Sequence, residues 1–513
     1  MKSATAFALL AVVTMAHAQA PCVPPKQVSI LALPSGTMIE GVGSSDLPIT
    51  SSNDKAKALI RQGYALIHCF WFNEAVRTFR DATKEDPACG AAWLGLNAAL
   101  TLPWHSPSQY KAEAEYAIKR AVEVCGDESD VEQGLIAAFR LRSASKDDRE
   151  SEFEKAMDKL IESHPDEAEP RLLISAIRVQ LCLNDGYDKV GNLREEMKKV
   201  MAWITPILKK DPKNGPALHY HIHAVESFKP MEALQSARQL GLSTPGSSHM
   251  VHMPGHIFNR VGMYEEAQKS FRDSQHVDDL YIKKMPGATT SANWNYGHNM
   301  EYMTANLIEM GRIKEAKATG EGHDDILWRT SQWSDLAPNG PYFSGMAAVR
   351  SGDLETAEKE VAKMEKALAN GEAKPTHSWG ISQRRISETK AAELRGLILV
   401  AQAKTKQGLD KLRVAVKTYR TISYDEPPIY LRLPHESLGE ALIAAKLYDE
   451  AILVYKDGLF YRPNSGWLLF GIAKAHEGAG RKSDALAAHK AFLAAWKTAD
   501  ADRPEIVHAK AFK

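Results

Sequence analysis

What the chain has little of narrows the reading first. Among 513 residues only five are cysteine, and all five (Cys22, Cys69, Cys89, Cys125, Cys182) lie in the N-terminal half, away from the densest run of histidines. That excludes a thiolate metal site at those histidines and leaves room for at most two disulfides, whose pairing the sequence does not assign. Charge of one sign is also missing: 64 Lys and Arg stand against 64 Asp and Glu, for a net charge of zero and a pI near 7.3. Without a global field, nucleic acid and anionic membranes are excluded as electrostatic partners. After the first twenty residues no stretch approaches the ~18 uninterrupted apolar residues of a membrane-spanning helix. No phosphate-binding loop, HExxH or GxSxG occurs in a fitting context.

What is there begins with Met1-Lys2-Ser3, an apolar run from Ala4 to Met15, and Ala16-His17-Ala18-Gln19-Ala20. This order reads as a secretory signal peptide over residues 1–20 and predicts a periplasmic or secreted location. Pro21 precedes Cys22 and the small-residue box of a lipoprotein is missing, so lipidation is not expected. Residues 21–52 are rich in Pro, Ser, Gly and Thr and predict an extended segment. From Asn53 onward helical periodicity takes over, with almost no strand-like alternation.

A repeat organises the helices. Gly63-Tyr-Ala-Leu66, Asn73-Glu-Ala75, Phe79, Ala82 and Pro87 match the 34-residue spacing of a tetratricopeptide repeat, and Trp93 opens the next unit. The spacing recurs in Gly255, Phe258, Ala267 and Phe271, in Gly345, Ala357 and Val361, in Gly439, Leu442, Ala451, Tyr455 and Pro463, and in Ala473, Ala485 and Phe492. Degenerate helical pairs fill the gaps. One repeat cannot bury its own apolar face, so the units must stack. The fold class predicted is all-α, a tetratricopeptide-like α-solenoid: a right-handed superhelix of helix pairs with a concave groove. Its units divide into 53–212, a histidine-rich 213–330, and 331–513. Two connections, 277–295 and 421–434, exceed what the repeat requires. The second carries Tyr424-Asp-Glu-Pro-Pro428 and reads as turn chemistry or as a cap over the groove.

The chemistry sits in the middle units, where eight of the eighteen histidines fall between 219 and 298. His219 and His223 are spaced i, i+4, and His249-Met-Val-His252-Met-Pro-Gly-His256 adds i, i+3, i+7. His298 follows, with Glu301 three residues on. Counting from Pro212, Pro245, Ala267 and Ala316 places His219 and His223 at repeat positions 5 and 9, His249, His252 and His256 at 2, 5 and 9, and His298 at 2. In proteins that resemble tetratricopeptide repeats, positions 2, 5, 9 and 12 of the first helix line the groove, so these six face it together. Neutral imidazole suits Zn, Cu, Fe and Ni, and the scarcity of carboxylates argues against Mg and Ca. The six allow one site or two three-histidine sites, the latter resembling a coupled dicopper centre. Glu301 is a candidate ligand or general base. Tyr220, Glu226, Asn259, Arg260, Asn295 and Asn299 are candidates to orient the histidines. Pro254 predicts that its helix either starts there or kinks there, and a start there would leave His249 and His252 in the preceding loop. His221 is expected to pack on the opposite side, and His435, Glu436 and Glu440 to be solvated groove residues.

With these residues in hand, the chain resembles a family of secreted bacterial tetratricopeptide-repeat proteins. The motifs that carry the resemblance are Ala65-Leu-Ile-His-Cys-Phe-Trp-Phe-Asn-Glu-Ala75, Asp86-Pro-Ala-Cys89, His219-Tyr-x-Ile-His223, His249-x-x-His252-Met-Pro-x-His256-Ile-Phe-x-Arg260, and Asp425-Glu-Pro-Pro428 before Glu436-Ser-Leu-Gly439. The resemblance implies a shared groove site without naming its chemistry. His221 and His435 depart from it and are not carried over. The functional expectation is an exported solenoid binding copper or zinc through His219, His223, His249, His252, His256 and His298, with a copper oxidoreductase ahead of a zinc hydrolase. The rival expectation is a metal-free scaffold holding a small molecule, peptide or partner protein in its groove.

Overall fold

The computed structural model describes residues 35–513 apart from 103–106, 145–147, 183–185, 189–190, 286–287, 289–292, 322–339, 372–377, 423, 425 and 427–431. The signal-peptide segment and Cys22 lie outside the described residues. Within them the chain is all α: twenty-three α-helices, one 3-10 turn at Pro230–Ala233, and a single isolated bridge between Tyr187 and Leu193. No described helix is long and apolar enough to cross a membrane. Cys69, Cys89, Cys125 and Cys182 are free thiols.

Each helix packs on the next in sequence, and the first helix of a unit also packs on the first helix of the following one, as Gly215–Val225 does on Ser248–Arg260 and that helix on Trp294–Glu309. This double neighbour relation is what stacking helix pairs produces. The small-residue positions show why the interval is fixed. A Cβ on Gly63 or Gly95 would lie 2.5 or 2.0 Å from the ring of Phe79, and one on Gly439 or Gly471 would lie 2.3 Å from that of Tyr455. One aromatic ring thus bridges the first helices of two successive units where only glycine leaves room.

Residues 35–53 run without helix across the first units, as the extended segment requires. Ile39 N–H donates to Gln62 Oε1 at 2.7 Å, and Ser45 Oγ–H to Glu169 Oε2 at 2.6 Å. Both ends of the chain return to the middle. Arg77 Nη2 reaches Met285 Sδ at 3.1 Å from the first unit. From the last units Tyr264 O–H donates to the Pro463 carbonyl at 2.8 Å, Arg462 pairs with Glu309 at 2.9 Å, and Trp496 Nε1–H donates to the Glu309 carbonyl at 2.9 Å. Both the first and the last units therefore touch the central ones.

Two expectations are corrected by burial. His435 is fully buried with Nε2 2.7 Å from Asp457 Oδ2, and Glu436 is buried 3.0 Å from Arg432, its pKa raised to about 7 by that burial. Only Glu440 is exposed, paired with Arg432 at 2.6 Å. The expected loop 277–295 is shorter than read, because helix Tyr264–Lys284 continues through its first part.

Candidate metal centre

Three helices carry the six histidines. Gly215–Val225 is started by Asn214, whose side chain accepts from Ala217 N–H at 3.0 Å, and by Pro216 in its first turn. Ser247 caps Ser248–Arg260 by accepting from Met250 N–H. This helix runs through Pro254 without interruption, so His249 and His252 are helical rather than loop residues. The proline removes one hydrogen bond, at a cost of ~3 kcal/mol in an exposed helix. Burial of every residue from Ser248 to Ile257 offsets it.

The structure divides the histidines into two groups. In each, the ligand nitrogens lie within 4.8 Å of one another: His219, His223 and His249 form one, and His252, His256 and His298 the other. The repeat generates both, since each group is positions 5 and 9 of one first helix plus position 2 of the next.

The protons on these rings follow from their partners. His219 Nδ1 lies 2.8 Å from the His68 carbonyl, which can only accept, so Nδ1 carries the hydrogen. His223 and His256 each place Nδ1 against Glu226, at 2.9 Å from Oε1 and 3.0 Å from Oε2. His249 Nδ1 faces Asn295 Oδ1 at 3.2 Å, and His252 Nδ1 faces Asn299 Oδ1 at 2.7 Å. Both amides are held oxygen-inward because their nitrogens donate elsewhere, Asn295 to Asp278 at 3.1 Å and Asn299 to the Phe271 carbonyl at 2.8 Å.

Five rings therefore present unprotonated Nε2 atoms, and these converge. His219 Nε2 is 3.0 Å from His223 Nε2 and 3.2 Å from His249 Nε2, while His252 and His256 bring theirs to 2.7 Å. Burial pushes the pKa values of His219, His249 and His252 well below the usual value, and that of His256 below it, so protons do not fill the His219–His249 and His252–His256 gaps near neutral pH. Facing lone pairs with no hydrogen between them repel unless a cation sits there. Two nitrogens each ~2.05 Å from one ion lie about 3.0–3.4 Å apart at near-tetrahedral angles, and two of the first group's three pairs, His219–His223 and His219–His249, already have that spacing. The donor set thus fits a transition metal.

Glu226 joins the two groups through its two oxygens. Burial opposes its ionisation, but hydrogen bonds from Glu426, His223 and His256 outweigh that and hold its pKa well below the usual range. Glu426 belongs to the long connection after residue 420, whose Tyr424 lies under the Arg260 guanidinium at 4.7 Å and 3.2 Å from the Tyr302 hydroxyl. The carboxylates that meet the histidines are thus Glu226 and Glu426. Glu301 lies half-buried on the helix that carries His298 and is in none of the metal-competent groups found among the described residues. His221 faces away, with Nδ1 2.8 Å from Ser236 Oγ.

Phe70 is the residue the sequence concealed most thoroughly. It is fully buried, with φ at 53° in the left-handed region, and its ring centroid lies 4.6, 5.7 and 5.7 Å from those of His219, His223 and His249. A non-glycine residue held at positive φ marks strain that the surroundings enforce.

No family model matches the chain, and no curated protein matches it. Solved structures that match include the APC/C hetero-tetramer Cut9-Hcn1, at 15% identity over 88% of this chain and 76% of that one, with a TM-score of 0.33. The yeast Tom70 matches at 12% identity over 90% and 89%, with a TM-score of 0.28, and a human IFIT1 dimer with m7Gppp-AAAA at 11% over 87% and 91%, with a TM-score of 0.35. Likeness this distant says nothing about function. The assignment as a tetratricopeptide-like solenoid stands on the helix packing and the repeat spacing described above.

Proposed function

We propose that the protein is an exported solenoid that holds a pair of transition-metal ions, copper or zinc, one at His219, His223 and His249 and one at His252, His256 and His298. The observation that supports this best is the convergence of unprotonated Nε2 atoms inside a buried site whose Nδ1 atoms are all engaged where a partner is resolved. When bound, copper would supply redox chemistry and zinc Lewis acidity, and neutral imidazole donors suit either ion. The chain's own residues hold the ring planes fixed, through the His68 carbonyl, Asn295, Asn299 and Glu226, and Phe70 keeps water from the first triad. Export rests on the sequence of the first twenty residues.

Elemental analysis of protein purified from its native compartment tests the proposal. About two equivalents of copper or zinc per chain are expected, and loss of the metal from a His252→Ala, His256→Ala variant at that triad. Sub-stoichiometric metal in both samples would instead favour a metal-free scaffold for a peptide or protein partner.

A further inference from the structure

The two histidine groups are copies of one another in the repeat, and the comparison extends to what covers them. Phe70 caps the first. Tyr302 caps the second, its ring centroid 5.2, 4.2 and 5.2 Å from those of His252, His256 and His298. Both caps are buried. The equivalence ends at the position-2 histidine. His249 is 4% exposed, with the Trp294 ring 5.0 Å away and Phe70 stacked on it at 5.7 Å, and the Phe70 carbonyl fastens that tryptophan by accepting from its Nε1–H at 3.2 Å. His298, the counterpart, is half-buried.

We infer that the two ions are not equivalent: the second triad, through the side marked by His298, is the binding site for an exogenous ligand, and Phe70 closes the first triad to it. The ligand class is a small molecule or anion that donates a lone pair from nitrogen or oxygen to an open metal position. Three protein nitrogens leave such a position at each ion, as in catalytic rather than structural metal sites. What decides between them is access. A buried ring lies against all three histidines of each triad, so access differs only at the position-2 histidine: His249 is enclosed by Phe70 and by Trp294, which the Phe70 carbonyl fastens. The other triad has a ligand at the edge of solvent. This inference rests on the metal reading above.

Azide binding to copper(II)-loaded half-site variants tests it, with metal content measured on the same samples. His249→Ala leaves only the second triad intact, and His298→Ala only the first. Each is expected to retain about one copper. Azide should give a saturable absorption change in His249→Ala and bind at least tenfold more weakly in His298→Ala. Adding Phe70→Ala to His298→Ala should recover most of that difference. Equal azide affinities, or tighter binding by the first triad, would overturn the inference while leaving the metal reading intact. Absence of copper from both variants and from the unaltered chain would overturn the metal reading and this inference with it. Should the Phe70→Ala protein fail to fold, the two half-site variants decide the matter alone.

Discussion

Two places among the described residues bring histidines together at ligand spacing, and only one of them asks for a metal. In the last units Glu477, His489 and His508 bring ligand atoms within 4.8 Å, the same spacing as the central triads. There, however, His489 and His508 both direct Nε2 at Glu477 Oε1, the second at 2.8 Å, while Lys474 Nζ bonds Glu477 Oε2 at 2.6 Å. A carboxylate accepting from two imidazoles and an ammonium is already satisfied, and the lysine charge would repel a cation. In the central site the acceptors stand behind the rings, on Nδ1, so the lone pairs are turned toward one another. The difference lies in which side of the imidazole meets an acceptor, and composition alone does not show it.

The largest effect should separate the two clusters outright. Substituting His252 and His256 with alanine is expected to remove the metal of the second triad, whereas His489→Ala with His508→Ala should leave metal content unchanged; elemental analysis of both reads this directly. Metal lost equally from the second pair of substitutions would erase the distinction.

Metal removal comes next. A ligand present at about a thousand times its dissociation constant stabilises a folded chain by about 4 kcal/mol. Chelation should therefore lower the melting temperature by several degrees, and Glu477→Gln should not change that difference, which differential scanning calorimetry with and without chelator measures.

A smaller effect concerns the carboxylate behind the rings. Glu226→Gln keeps the shape but loses the charge that holds two Nδ1–H groups, and residues in this position typically contribute 10–100-fold in metal affinity. Because Glu226 serves His223 in one group and His256 in the other, both affinities should fall together in competition titrations. A drop at one site alone would break the link drawn between them.

The smallest effect is in pH. His219, His249 and His252 have depressed pKa values, so below the ordinary value of 6.5 the unfolded chain takes up protons that the folded chain does not. Apo-protein stability should decline as pH falls through 6.5. Glu477 behaves differently: burial would raise its pKa, but bonds from Lys474, His508 and His489 bring it down to about 2 from 4.5. Its contribution is complete above 4.5 and is lost only as pH falls toward 2. Comparing melting curves at pH 7.5 and 5.5 with and without His219→Ala and His252→Ala isolates the central term; an undiminished apo stability at pH 5.5 would count against it.

The helix pairs were legible because small and aromatic residues recur at a fixed interval that close helix packing imposes. Repeat counting also brought the six histidines onto one side, since a first-helix position predicts a direction. The division into two triads followed from the same counting only once the neighbouring helices were placed. Pro254 misled in part: the proline rule is a local cost, and it gives way where a helix is buried on every side. The remaining parts of the site come from far along the chain. His68 and Phe70 arrive from the first unit and Tyr424 and Glu426 from the connection after residue 420, all because the array folds back on its centre. Nothing at those positions marks them as site residues. Of the Asp425-Glu-Pro-Pro428 motif only Glu426 is described, 3.8 Å from His223 and 3.7 Å from His256.

Titrating the metal-free chain with copper(I) in the presence of a competing chelator counts the sites most directly. Two tight equivalents per chain, falling to one in His219→Ala and to one in His252→Ala, is the predicted result. A single equivalent in the unaltered chain, or none, would contradict the paired triads.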